Sequence, residues 1–317
     1  MSNTKFIKFF NELSKNDVRV AGGKGASLGE MTQAGIPVPP GFVILSIAFD
    51  EFLRQTDLNV EIEAALSKVN YKDINSVDQA SKLIRDLIHD AKIPKDLQKK
   101  ILTTLDQLKI EFVAVRSSAT AEDSSVASWA GELESYLNTT RRNLLGRVKD
   151  CWSSLFTQRA IVYRSEKGLR KSKVSVAVVV QKMIQAEKAG VCFTTHPVTK
   201  DKNQLIIEAG WGLGEAIVGG HITPDSYVVD KRNWKILDVN VSEQEKQIIH
   251  KKSGIGNQWV KVSNKLRSKQ KLDGKQIIEL AKLCTKIEKH YKFPCDIEWA
   301  LEHGKFYVVQ SRPITTL

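Results

Sequence analysis

The run Val174 to Met183 is rich in β-branched residues and hardly alternates between apolar and polar. Branching at Cβ favours extended backbone, and a strand without alternation leaves no face for water, so this segment predicts a strand buried on both faces. The fold must then contain a sheet covered on both sides. Gly190 to Thr194, Leu205 to Glu208 and Ser226 to Asp230 predict further strands, and Phe112 to Val115 a buried one that runs into the polar segment Arg116 to Asp123. From Ser46 to Leu108 the apolar spacing is helical (Phe49, Phe52, Leu53, then Leu83, Leu87, Ile88), with Pro94 opening the last helix. Leu144 to Tyr163 and Gly274 to Tyr291 return to that spacing, and Asp296 to Leu301 with Phe306 to Gln310 predict a hairpin turning at His303-Gly304.

The glycines and prolines from Asn16 to Gly41 predict a loop, a short helix and a turn, and the lysine-rich stretch Ser242 to Lys271 a mobile surface region. Helices and strands mixed without a regular βαβ repeat predict α+β lobes rather than a doubly wound sheet.

A formal charge of +12 favours an anionic partner, because a positive field concentrates phosphate-bearing ligands. Taken alone, solvated lysines such as those from Lys95 to Lys100 and from Lys265 to Lys275 are the plainer account of it. No basic run is interleaved with aromatics, so nucleic acid is not the expected partner. Eighteen consecutive apolar residues occur nowhere and Met1 to Asn16 has no signal-like apolar run, so the expectation is a soluble, cytoplasmic protein without membrane contact. The four cysteines lie far apart with no C-x2-C pair, which reads as free interior thiols rather than a metal site.

Several segments carry chemistry. Gly22-Gly23-Lys24-Gly25 puts one cation among bare backbone amides, suited to phosphate oxygens, although a tight turn would use the same residues. It is not a Walker A loop, since no hydroxyl follows Lys24 directly. Arg116-Ser117-Ser118-Ala119-Thr120-Ala121-Glu122-Asp123 packs a guanidinium, three hydroxyls and two carboxylates into eight residues. A helix N-cap would explain the small polar residues but not Arg116. Gly210-Trp211-Gly212-Leu213-Gly214-Glu215 lacks the context of a dinucleotide fold. In the last hairpin, alternation pairs Asp296 with Glu298 and Gln310 with Arg312, offering acid, amide and cation to one phosphate group, with hard oxygen donors suited to Mg²⁺. A solvated Glu298–Arg312 ion pair is the plainer alternative.

The order GGKG, RSSATAED, GWGLGE, DIEWA, VVQSRPIT resembles the N-terminal nucleotide-binding domain of the phosphoenolpyruvate synthase and pyruvate phosphate dikinase family, and equally that of rifampicin phosphotransferases, over essentially all 317 residues. The resemblance implies an ATP-grasp fold with two lobes, 1–185 and 186–317, enclosing a nucleotide cleft. It places Lys24, Arg116 and Arg312 on the terminal phosphates as the catalytic cations, Gln181 and Met183 on the adenine side, and Glu298 and Gln310 as ligands of Mg²⁺ that also contact ATP. For Met183, plain core packing explains a strand-end methionine as well. Glu132, in Ser128-Trp129-Ala130-Gly131-Glu132, stands where many relatives carry glutamine. Relatives continue past this point into a phosphohistidine domain and a substrate-binding domain. No histidine here has the G-G-x-x-[ST]-H context of their carrier, and His196 and His221 read as turn or core histidines. The expected partner is thus a phosphohistidine domain in trans or in a longer parent chain, making this the phosphate-donor half of a dikinase. A non-catalytic ATP sensor or assembly module is the competing class.

Overall fold

Residues 5–120, 134–169, 175–251 and 256–315 are described by the structure, a computed structural model, and the chain divides into two units. The first unit comprises Met1–Glu30 and Pro40–Met183, the second Met31–Pro39 and Ile184–Leu317.

Beginning in the first unit, the elements run β1 (Ile7–Phe9), α1 (Val18–Gln33), β2 (Gly41–Ile44), α2 (Ser46–Gln55), α3 (Leu58–Ser67), α4 (Ile74–Asp90), α5 (Lys95–Leu108), β3 (Val113–Ala119), β4 (Ser135–Thr139), α6 (Leu144–Ser153), α7 (Gln158–Glu166) and β5 (Val176–Lys182). The apolar run is β5, hydrogen-bonded on both sides in the order β1-β2-β5-β3-β4, and its burial on both faces follows the sequence expectation. Alternation gives the sheet two characters. Phe42, Ile44, Val113, Val115, Val178 and Val180 point into the main core, where Trp152 stacks on Phe52 at 4.9 Å between ring centroids. The other face carries Ala114, Arg116, Ser118, Val179, Gln181 and Val43 in register.

Three expectations are corrected here. Arg116, Ser117 and Ser118 lie within β3 rather than in a turn after it, since the pairing with β5 continues to Ala119 opposite Val176. Asn16 to Gly41 is mostly helix, broken at Gly22. Leu83, placed by its spacing on an apolar stripe, is 52% exposed, while Ile84 and Ile88 take the buried positions of α4.

Continuing in the second unit, the elements are β6 (Lys188–Phe193), β7 (Gln204–Trp211), α8 (Glu215–Val218), β8 (Asp225–Asp230), β9 (Lys235–Asn240), β10 (Lys246–His250), β11 (Asn257–Lys261), α9 (Asn264–Arg267), α10 (Gly274–Tyr291), β12 (Cys295–Glu302) and β13 (Lys305–Pro313). Six strands form an antiparallel sheet ordered β13-β12-β6-β7-β8-β9. Asp273 caps α10 by accepting from the Gln276 amide at 2.9 Å, and the helix buries Ile277, Leu280, Ala281, Cys284 and Ile287 on one side of that sheet. Among the described residues all the ladders are antiparallel, which is the α+β organisation read from the sequence. The last hairpin turns at His303 (φ 49) and Gly304 (φ 74), two left-handed residues as a tight two-residue turn requires.

The described residues of the lysine-rich stretch form the paired strands β10 and β11 and α9, regular structure where the composition predicts none, and the stretch ends in Lys271, which is fully buried against Asp225. All four cysteines are free and buried, as expected, and burial pushes the Cys151 and Cys295 thiols up to about 12, which makes them inert at neutral pH. No helix among the described residues is long and apolar enough to cross a membrane.

Candidate functional site

Within the first unit, β3 fixes the glycine segment. Gly22 has φ 68 and ψ 172, a conformation open essentially to glycine alone, and it ends one helical stretch and begins the next. Lys24 therefore sits in the first turn of the second stretch, where backbone amides and the positive end of the helix dipole favour an anion. Ser118 of β3 holds this turn. Its Oγ donates to the Ala21 carbonyl at 3.0 Å and accepts from the Gly25 amide at 3.3 Å. A Cβ on Gly22 would stand 2.1 Å from Ser118 Oγ and 2.4 Å from Ser118 O, so the backbone approach needs a residue without one. Arg116, two residues before Ser118 on β3, shares its sheet face, and so does Gln181, opposite Ala114.

The two residues expected on the adenine side differ in character. Gln181 is 2% exposed, and among the described residues its Nε2 has no hydrogen-bond acceptor, so it is a buried donor suited to a ligand. The Met183 amide donates to Phe112 O at 3.0 Å, which commits its backbone N–H to the sheet.

Within the second unit, Glu298 pairs with Gln310 and Asp296 with Arg312 across β12 and β13, so all four share one sheet face. A β-bulge follows at once: Trp299 pairs with Val308, leaving Val309 as the extra residue. Simple alternation would have put Val308 on the polar face, and the bulge returns it to the apolar side beside Trp299. Arg312 makes an ion pair with Asp296. Arg312 Nε and Nη2 donate to Asp296 Oδ2 at 2.9 and 2.8 Å, a two-pronged contact, while among the described residues Asp296 Oδ1 is buried without a partner. Burial pushes the Asp296 carboxyl up against the pull of Arg312.

Sequence reasoning missed Glu208. It lies on β7 opposite Val191, which itself pairs with Glu298, so Glu208 is on the acidic face two strands from Glu298. Burial raises its carboxyl, and Asp296 adds to the shift. The strand Leu205 to Glu208 was legible but gave no reason to link its end to a hairpin ninety residues later. Ser118 was likewise legible only as one hydroxyl among several. Glu122, Asp123 and Glu132, with the helix-cap reading of that stretch, lie outside the described residues. His196 is a turn residue, its Nδ1 accepting from the Val198 and Thr199 amides at 3.2 Å each.

Comparison with known proteins follows the same outline. Residues 18–317 match the family described as pyruvate phosphate dikinase, AMP/ATP-binding domain. The chain is 46% identical over 99% of its length to a probable phosphoenolpyruvate synthase of Methanocaldococcus jannaschii, of which it spans 27%. It is 42% identical to the phosphoenolpyruvate synthase of Pyrococcus furiosus, spanning 44% of that protein, and 37% identical to the rifampicin phosphotransferase of Bacillus subtilis, spanning 36%. The chain thus corresponds to less than half of each of these relatives, and it belongs to the pyruvate phosphate dikinase AMP/ATP-binding domain family.

Proposed function

We propose that this chain is the ATP-binding, phosphate-donor half of a phosphoenolpyruvate synthase-like dikinase, with an ATP-grasp fold whose lobes are 1–185 and 186–317. The observation that carries the reading is the polar block of Asp296, Glu298, Gln310 and Arg312, in cross-strand register on one face, in a chain whose family is named for its nucleotide. Among the described residues no three His, Cys, Asp or Glu side chains form a ready-made metal cage. Mg²⁺ does not need one, because it keeps several waters and takes one or two carboxylates plus substrate oxygens. Glu298 and Gln310, with the unpartnered Asp296 Oδ1 beside them, fit that demand. Held by these residues, Mg²⁺ would supply positive charge against the phosphates.

In this reading Lys24 and Arg116 hold the terminal phosphates, Arg312 is aimed by Asp296 toward the transferring group, and Gln181 contacts the base, with Met183 packing beside it. The chain's own residues bind and orient ATP and stabilise charge on the oxygens in transit. The nucleophile is a histidine on a separate phosphohistidine domain, which displaces AMP and keeps the β-phosphoryl group while water takes the γ-phosphoryl group off as phosphate. Four free, buried thiols suit the reducing cytoplasm this role requires.

Incubation with β-labelled ATP, Mg²⁺ and a recombinant phosphohistidine domain from a phosphoenolpyruvate synthase tests the transfer. The expected result is acid-labile label on that domain, lost with Lys24→Ala. Absence of label while ATP still binds would instead identify a non-catalytic nucleotide module. Label on the carrier from a rifampicin phosphotransferase alone would assign the antibiotic branch, which the Bacillus subtilis relative makes a specific second reading.

A further inference from the structure

Outside these contacts, the first unit holds a cluster of ionisable groups at β4, α4 and α6. The Tyr136 hydroxyl donates to Glu134 Oε2, and Arg85 Nη2 stands 3.7 Å from Glu134 Oε1. The Arg147 guanidinium lies 4.7 Å over the Tyr136 ring and donates to Asp150 Oδ2 at 2.8 Å. His89 completes the cluster, its Nδ1 3.6 Å from Asp150 Oδ1 and its Nε2 3.2 Å from Ser153 Oγ. Burial pushes the Glu134 carboxyl up, so holding a charge there is costly and calls for an explanation.

The backbone of the same residue supplies one. Glu134 O accepts both the Ser117 amide and the Ser117 hydroxyl, each at 3.1 Å, and the next residue, Ser135, pairs with Arg116. Ser117 sits between Arg116 and Ser118, the residue that holds the Lys24 turn. β4 is an edge strand with half-exposed residues at its start, so main-chain pairing alone holds this end weakly.

We infer that Glu134, clamped by Tyr136 and Arg85, is a positioning residue that holds the start of β4 on β3 and thereby sets Arg116 and the Lys24 turn for the phosphates of ATP. The inference rests on the reading of Lys24 and Arg116 as phosphate ligands. Its mechanism is mechanical. The side chain takes no part in binding, but its two tethers prevent the Glu134 carbonyl from leaving Ser117, and so prevent the strand carrying Arg116 from shifting.

A double-mutant cycle on Mg-ATP affinity tests it, with Glu134→Gln, Arg116→Ala and both together, measured well below the unfolding temperature of each variant. Glu134→Gln should raise the Kd about five-fold in the parent and have a clearly smaller effect in the Arg116→Ala background, because one of the two cations it positions is then gone. Tyr136→Phe should reproduce the single effect with the carboxylate still present. An unaltered Kd in both Glu134→Gln and Tyr136→Phe, or a Glu134→Gln effect that persists in full without Arg116, overturns the inference while leaving the ATP site standing. If Arg116→Ala alone binds Mg-ATP like the parent, it is the reading of the site that fails.

Discussion

Lys271→Met is expected to cost the second unit about 3–5 kcal/mol of stability. Lys271 and Asp225 are both fully buried, with Nζ 2.7 Å from Oδ1. Asp225 collects three further donors: the Ser242 amide at 3.0 Å on Oδ1, and the Tyr227 hydroxyl at 2.7 Å and the Lys271 amide at 2.8 Å on Oδ2. The carboxylate thus ties β8, the segment before β10 and the entry to α10 together. Methionine keeps the aliphatic stem and removes the ammonium, leaving a buried charge without its counter-ion, which is the expensive way to break such a pair. Urea denaturation followed by circular dichroism should show a second-unit transition at clearly lower denaturant. A loss below about 1 kcal/mol would mean the pair is wetter than its geometry indicates. Replacing both partners, Asp225→Asn with Lys271→Met, should recover part of the loss, since no orphaned charge remains and the amide oxygen can still accept from the Tyr227 hydroxyl and the Lys271 amide.

Gly22→Ala should weaken both folding and binding. Backbone strain at this φ and ψ costs about 1–3 kcal/mol, and the clash with Ser118 adds a similar amount unless β3 or the turn moves. Either movement breaks the bonds from Ser118 to Ala21 O and Gly25 N that hold the Lys24 turn. Mg-ATP affinity is therefore expected to fall at least about ten-fold, the equivalent of 1.4 kcal/mol. Gly35→Ala is the control. Gly35 has a similar φ of 66 but open space within 4 Å of its missing Cβ. It should show a conformational cost of about 1 kcal/mol and no change in binding. Equal effects of the two substitutions on ATP affinity would remove Ser118 from the account.

Much of this architecture was legible in the chain because its signals are local. β5 announced itself by β-branching, α10 by its stripe, and the final hairpin by His303-Gly304 between two alternating segments. The strands without a sequence signal, β1, β2, β4, β9, β10 and β11, are short, half-exposed or at edges, where the local pattern is weak. Lys271 was read as surface because a buried lysine looks like any other until its partner, forty-six residues away, is placed. The same limit governs the site. Lys24, Arg116, Glu298, Gln310 and Arg312 stood out by residue type within motifs. Ser118 as the support of the glycine turn, Asp296 as the group that aims Arg312, and Glu208 on the same face all depend on strand register. Register is set by pairing over long sequence separations, and no single segment encodes it.

The central claim is that the cations of these two units bind Mg-ATP, and calorimetric titration of the parent, Lys24→Ala and Arg312→Ala with and without Mg²⁺ tests it most directly. A charge-assisted contact to phosphate is worth about 1.5–3 kcal/mol, so each variant should bind at least about ten-fold more weakly, and the parent should lose affinity when Mg²⁺ is withheld. Equal affinity in all three proteins, unaffected by Mg²⁺, would contradict the site.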